Sequence, residues 1–268
     1  MQNHLLYPPL NLVPDKNILF QNGSYLVSIS QDRYEVEKAL ALRYEVFCEE
    51  FQKGSIPKQG EKLETDDYDS QCHHLIVTEL KSGIVVGTYR LQTYEMATNG
   101  LGFYSNLEFD LEYFPKTFLK RSVEIGRACI RKEFRNNRVL FLLWRGLAAY
   151  LKKMKKCTLF GCCSLYSNQM KDGVLIYNQF EKNSQICNEF AIPVQPDYTT
   201  PNQLFSAPEI HASKEILVPT LFQKYLDIGS KVASKPALDH DFGSIDFLVY
   251  LNITQADRKF LQFLGRGL

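Results

Sequence analysis

The sequence predicts a mixed α/β domain with late additions, and three observations carry this. β-branched runs bounded by turn residues fill much of the first third of the chain. Two stretches with helical apolar spacing, one near the start and one past the middle, stand between such runs. No internal repeat and no linker between independent domains interrupts the order. The length of 268 residues, with 45% hydrophobic and 13% aromatic content, allows one large core or two small ones and excludes a fibrous or wholly disordered polymer.

After a Pro-containing leader, "YLVSI" (residues 25–29) reads as a first strand. "SQDRYEVEKALALRYEVFCEEF" then carries apolar residues at 36, 39, 40, 44, 47 and 51, with Ser30 as its expected N-cap and "QKGSIPKQG" as its breaker. The acidic "EKLETDDYDSQ" is a loop. "CHHLIVTEL", the turn "KSG" and "IVVGTYRLQTY" form an expected hairpin. An aromatic, irregular stretch leads to the strand "RSVEIGRACI". The strongest helix follows, "RNNRVLFLLWRGLAAYLKKM", with Arg138, Arg145 and Lys152 expected on a solvated side. "KCTLFGCCSL" reads as a buried strand. "VPTLFQKYLDIGS" is a helix closed by Gly229, and "IDFLVYLNI" is the last strand. Thr254 with Asp257 is expected to cap the terminal helix "QADRKFLQFL".

Net charge is only +1, but its distribution is uneven. Lys120 to Lys156 holds twelve Lys or Arg against Glu124 and Glu133, while Glu61 to Asp69 holds five acids and one Lys. A basic face of this kind suits an anionic partner. The basic run lacks interleaved aromatics at its exposed positions, which argues against RNA. Seven cysteines, mostly in apolar runs, fit reduced and packed thiols, so a cytoplasmic setting is expected. The N-terminus does not read as a signal peptide, and no eighteen-residue apolar stretch occurs.

Seven stretches in this order, "LRYEVFCEEF", "DDYDSQCHHLIV", "GTYRL", "VEIGRACI", "LLWRGLAAYL", "LFGCCSL" and "LFQKYLDIGSKVASKPALDHDFGSIDFLVYL", carry a resemblance. The chain resembles the GNAT acyltransferase superfamily, and more closely its branch that takes acyl groups from acyl carrier protein. That branch includes acyl-homoserine-lactone synthases, N-acyl amino acid synthases and ornithine-lipid or glycine-lipid N-acyltransferases. The resemblance implies a GNAT-like α/β fold, a mixed and mostly antiparallel central sheet flanked by helices, with a C-terminal extension. It sets the expected organisation as a leader over 1–24, an acyltransferase core over 25–205 and an extension over 206–268 packed on the core.

The implied function is transfer of a fatty or 3-hydroxy fatty acyl group from acyl carrier protein to the α-amine of ornithine or glycine, the first step of aminolipid synthesis. A homoserine-lactone-type signal synthase and a non-catalytic carrier-binding protein are the alternatives. No cofactor is expected to be held permanently; the acyl-phosphopantetheine of the carrier is the co-substrate. Where the superfamily usually places spaced glycines to wrap a pyrophosphate, this chain has "RNNRV", which disfavours acyl-CoA. The resemblance assigns Arg43, Phe47, Asp66, Asp69 and Arg90 to the amine substrate, and Glu124 and Arg127 to catalysis.

The residues themselves support parts of this. Glu124 lies among Val123, Ile125 and Gly126, where a carboxyl is costly unless paired or used, so it is the candidate general base. The competing reading is a structural ion pair with Arg127 or Arg90. Positions 124 and 127 face opposite sides of a regular strand, so a bulge, expected at Gly126, is needed to bring both into one site. Asp66 and Asp69 are candidates for an ammonium, against a solvated acidic loop. Arg43 and Arg90 are candidates for a carboxylate, with Arg43 alternatively pairing Glu37 or Glu45.

Arg131, Lys132, Arg135 and Arg138 crowd a helix N-terminus and are assigned to the donor phosphate or an acidic carrier, against a solvated basic turn. Cys162 and Cys163, His73 and His74 are read as structural, and no metal is expected. Phe260, Phe263, Leu264 and Leu268 give the last helix an apolar side for peripheral contact with the inner face of a membrane, against packing on the sheet.

Overall fold

The computed structural model describes residues 16–53, 61–199, 217–240 and 242–265. In chain order the elements are β1 (Lys16–Asn22), β2 (Tyr25–Ser30), α1 (Arg33–Arg43), a π-helix (Tyr44–Glu50), β3 (His73–Glu79), β4 (Val85–Thr93) and α2 (Tyr94–Thr98). Then come α3 (Lys116–Lys120), β5 (Ser122–Ile130), α4 (Asn137–Met154), β6 (Thr158–Leu165) and α5 (Met170–Lys182). The last are α6 (Thr220–Asp227), β7 (Lys231–Val232), β8 (Ala237–Asp239), β9 (Ser244–Asn252) and α7 (Arg258–Gly265). The architecture is α/β and largely antiparallel, as expected from the sequence. Two compact units divide it: Met1–Phe103 with Val123–Lys155, and Tyr104–Ser122 with Lys156–Leu268.

The first unit is an antiparallel sheet in the order β1-β2-β3-β4-β5. β4 is buried at every position, which fits an internal strand covered on both faces. α4 buries Val139, Leu142, Leu143, Leu147, Tyr150 and Leu151, a three-and-four spacing that seats one stripe on the sheet. Gly146 permits the approach, since a Cβ there would lie 2.7 Å from Leu75 Cδ1 and 3.1 Å from Val27 Cγ1. A second layer of Ala39, Leu42, Val46, Ile76, Val85 and Cys129 packs α1 and the π-helix over the sheet. Each such aliphatic side chain contributes about 1.5–3 kcal/mol on burial.

The second unit pairs β9 antiparallel with β6, β7 and β8, while isolated parallel bridges join Ile186 to Val232 and Ile192 to Ser234. Its core is Leu165, Ile176, Phe180, Phe222, Leu226, Val232, Ile245, Phe247 and Val249. Gly173 lets α5 close on β9, where a Cβ would meet Ile245 Cγ2 at 2.8 Å.

Several sequence expectations need correction. Residues 16–22 form strand β1, not leader; Asn22 pairs Tyr25, so Gly23-Ser24 turns the hairpin into β2, with Gly23 at φ 57°. The remainder of the leader, 1–15, lies outside the described residues. Asp32, not Ser30, caps α1, its Oδ1 accepting from Glu35 N at 3.0 Å, while Ser30 Oγ accepts from Asp32 N. Arg145 is only 6% exposed because its guanidinium lies over the Phe20 ring at 4.5 Å, so this part of α4 is not solvated. Asp257 caps α7 by accepting from Phe260 N, and Thr254 Oγ1 donates to Asn252 instead. Phe260 is buried, so it presents nothing to a lipid surface. The side chains of Phe263 and Leu264, and all of Leu268, lie outside the described residues.

Candidate active site

In the first unit, three arginines from three elements converge on one acidic turn. Arg43 ends α1, where the helix widens into a π-helix, a feature that often marks functional positions. Its guanidinium donates to Glu64 and, through Nη1 and Nη2, to both oxygens of Asp69 at 2.5 and 3.2 Å. Arg90, on β4, donates to Asp66 and, at 3.1 Å, to Asp69. Arg127, on β5, donates to Glu64 at 3.3 Å and Asp66 at 3.0 Å.

The acidic turn is shaped by its own residues. Asp66 Oδ1 accepts from Tyr68 N, and Asp69 Oδ2 accepts from Asp66 N at 2.9 Å, so each aspartate caps the other. The competing reading of a solvated acidic loop does not hold at Glu64, Asp66 and Asp69, which three arginines hold largely out of solvent. Glu64 is the member that sequence reasoning missed, and it is 0% exposed. Arg43 uses neither Glu37 nor Glu45: Glu37 accepts from Arg33 and Glu45 from Arg131.

The 124/127 spacing is resolved by a bulge. Arg90 pairs Gly126 and Thr88 pairs Cys129, so three residue steps on β5 oppose two on β4. The left-handed residue is Arg127, at φ 49°, not Gly126 as expected. A non-glycine residue there costs about 1–2 kcal/mol, which the ion pairs of Arg127 offset. Upstream of the bulge the register places Glu124 opposite Gln92, and therefore on the same sheet face as Arg90.

Glu124 is 5% exposed, and its charge raises the Tyr68 phenol and the Cys72 thiol, in each case after burial itself. Tyr68 also faces the Arg90 guanidinium, 5.7 Å from its ring centroid. Gln92 Nε2 donates to Gly102 O at 2.7 Å, and its Oε1 is buried with no hydrogen-bond donor among the described residues. A buried carboxylate beside an amide oxygen lacking a donor is a surface suited to an amine or ammonium.

Burial and charge set the protonation around this turn. Burial disfavours the charged carboxylate of Asp69, but Arg43 and Arg90 outweigh it and hold the group below its ordinary 3.8. His74, whose Nε2 lies 3.3 Å from Asp69 O, and His73, whose Nδ1 lies 2.8 Å from Tyr150 Oη, are both lowered to about 4, chiefly by burial. A depressed acid pKa gives stability that is present above the unfolded value and lost as pH falls through the folded one. Below pH 3.8, unfolding free energy should therefore drop more steeply with pH in the wild-type chain than in Asp69→Asn, as read by denaturant titration. Coincident slopes would exclude an ionised Asp69 in the folded state.

The remaining sequence candidates have other partners. Phe47 packs against the Ala39, Leu42 and Val46 layer. Arg131 donates to Glu45 and Arg135 to Glu50, both acids of the π-helix, and Arg138 lies over the Tyr25 ring at 5.0 Å. Lys132 is exposed. Asn136 caps α4, its Oδ1 accepting from Arg138 N and Val139 N at 3.0 and 3.2 Å. None of the seven cysteines is in a disulfide. Among the described residues, no helix is long and apolar enough to cross a membrane.

Comparison with known proteins bears on this geometry. The family described as Acetyltransferase (GNAT) domain matches residues 42–145, a span that holds every arginine and acid of the buried turn as well as Glu124. The L-ornithine N(alpha)-acyltransferase of Rhizobium meliloti is 29% identical over 260 residues, covering 94% of this chain and 88% of that protein. The enzyme of the same name from Brucella abortus is 28% identical, covering 94% and 92%. Among solved structures, the AHL synthase LasI aligns with a TM-score of 0.49 at 14% identity, over 91% of this chain and 96% of that one.

Proposed function

Because the chain is a GNAT-superfamily acyltransferase related to the L-ornithine N(alpha)-acyltransferases, we propose that it transfers a fatty or 3-hydroxy fatty acyl group from acyl carrier protein to the α-amine of ornithine, with glycine as the other acceptor of this class. The observation that carries this reading is Glu124, a buried carboxyl on β5 beside the donor-lacking Oε1 of Gln92. An acceptor amine attacks the thioester carbonyl, the C–S bond breaks, and the carrier leaves as its thiol. Glu124 takes the proton that the amine nitrogen must lose, which is the work of a general base, and that proton is then given up to the departing thiolate. Arg127 and Arg90 act as positioning residues: their bonds to Glu64, Asp66 and Asp69 hold β4, β5 and the acidic turn in one arrangement. Asp66 and Asp69 serve first as partners of arginine, and their place at an acceptor site follows from that fixed geometry.

The donor reading rests on the entry to α4. Asn136 already satisfies two of the amides that a pyrophosphate would need, and no glycine loosens the turn. A single phosphopantetheine phosphate asks for fewer donors, and exposed Lys132 supplies positive charge near the helix start. We assign this segment to docking of a carrier, with acyl-CoA the less favoured donor. Incubation of the pure protein with 3-hydroxyacyl carrier protein, or separately with the matching acyl-CoA, and an equimolar set of amino acids tests both assignments. Mass spectrometry should find one N-acyl amino acid, that of ornithine or glycine, formed from the carrier donor in large excess over the CoA donor. Equal or better use of acyl-CoA would overturn the donor assignment, and a lactone product would move the chain to the signal-synthase reading.

A further inference from the structure

In the second unit, Glu108, Cys162 and Asp246 each place one ligand-type atom so that the three lie within 4.8 Å of one another. The topology makes this grouping. Ser164 pairs Asp246 across the β6–β9 ladder, so Cys162, two residues before Ser164, shares that face with Asp246. Glu108 comes onto it from the turn that follows Tyr104–Leu107, held by Gln195 N donating to its carbonyl at 2.8 Å. The opposite face of the ladder carries Cys163, Leu165, Ile245 and Phe247 in the apolar core, so the strands separate a polar cluster from a hydrophobic one.

The cluster is unusual in its charge. Glu108 is 2% exposed; no donor group among the described residues reaches its Oε2, and its carboxyl and that of Asp246 hydrogen-bond to each other when one of them keeps its proton. Burial, then Asp246, then Asp239 push its carboxyl upward, and only a Cys162 hydrogen bond acts in the other direction. Asp246 is raised to about 6, chiefly by burial, although Ser164 and Ser244 hydrogen-bond its carboxylate. Cys162 Sγ lies 3.4 Å from Ser105 Oγ and 3.7 Å from Glu108 Oε1. Two buried carboxyls and a thiol, with a third acid close by, are balanced either by retained protons or by a cation.

We propose that Glu108, Cys162 and Asp246 form a divalent metal site, best suited to a zinc-like ion. A thiolate with two carboxylate oxygens is a borderline-soft donor set, matched to zinc or cobalt rather than calcium or magnesium. Ser164 and Ser244 orient Asp246 as outer-shell groups do, and the incomplete burial of Cys162 leaves a route of entry. On binding, the ion displaces the Cys162 thiol proton and whatever proton the two carboxyls retain, and these pass to solvent.

The test uses the full chain, stripped with chelator and titrated with Co(II), followed by competition with Zn(II). One Co(II) per chain should bind with a thiolate-to-cobalt charge-transfer band, and Zn(II) should abolish the band. Cys162→Ser should lose the band while keeping a wild-type circular dichroism spectrum. Ser164→Ala, which keeps all three ligands, should weaken Co(II) binding by about 10–100-fold. A folded wild-type chain that shows no band, or a band that survives in Cys162→Ser, would overturn the site. An equal gain in thermal stability from Asp246→Asn in chelator-stripped protein with and without added Zn(II) would also overturn it, because it would identify a proton-sharing carboxyl pair.

Discussion

Replacing Asp69 by Ala should lower the unfolding free energy by about 3–5 kcal/mol, the loss expected when one partner of a buried ion-pair network is removed. Asp69 accepts two bonds from Arg43, one from Arg90 and one from the Asp66 amide. Without it, Arg43 at 1% exposure keeps only Glu64 from this set, and the turn loses the cap that orders Asp66. The chain carries its own control in the exposed Lys62–Glu49 pair at 3.7 Å, whose removal should cost about 0–1 kcal/mol. Urea titrations of both variants give the comparison. Equal, small losses would mean that the buried network contributes no more than a surface pair.

Much of the architecture was legible because most elements announce themselves with a local period. The β3–β4 hairpin, α4, β6 and β9 all lie where alternation or three-and-four spacing put them. β1 was missed although the Gly23-Ser24 pair is a hairpin-turn signal, because the Pro residues upstream drew the whole segment into a leader. Arg145 was misplaced for a different reason. Heptad-like spacing with Arg138 and Lys152 marks a polar face, but only the fold brings Phe20 of β1 over that position.

The candidate site was half legible. Residues 43, 66, 69, 90, 124 and 127 were picked out by the family resemblance, and the structure brings five of them into one connected network of charges, with Glu124 beside Arg90 on the sheet. Which charge pairs with which could not be read, since the partners lie 21 to 63 residues apart. Glu64 went unnoticed for that reason. The bulge was expected from the parity conflict, yet placed on Gly126 by conformational freedom; the ion pairs of Arg127 chose the neighbouring residue instead. The Glu108–Cys162–Asp246 cluster gave no sequence signal at all, because its members are spread over three distant segments with no fixed spacing.

The second large effect concerns chemistry rather than stability. Glu124→Gln preserves shape and keeps a hydrogen-bonding group on β5, but it cannot accept the proton that the amine must lose. Turnover should fall by about 10²–10⁴-fold, the usual contribution of a general base. That corresponds to about 2.7–5.5 kcal/mol in the barrier. Michaelis constants for donor and acceptor should move little, since the group acts as the proton departs. The change leaves the bonds of Arg43, Arg90 and Arg127 to Glu64, Asp66 and Asp69 in place, so the fold should hold.

The most direct measurement is therefore the turnover number of Glu124→Gln at saturating carrier-linked acyl donor and ornithine, on a sample whose urea unfolding curve matches the wild type. A fall of about a hundredfold or more with the unfolding curve unchanged is the predicted result. Wild-type turnover in that variant would contradict the account and remove Glu124 from the base role.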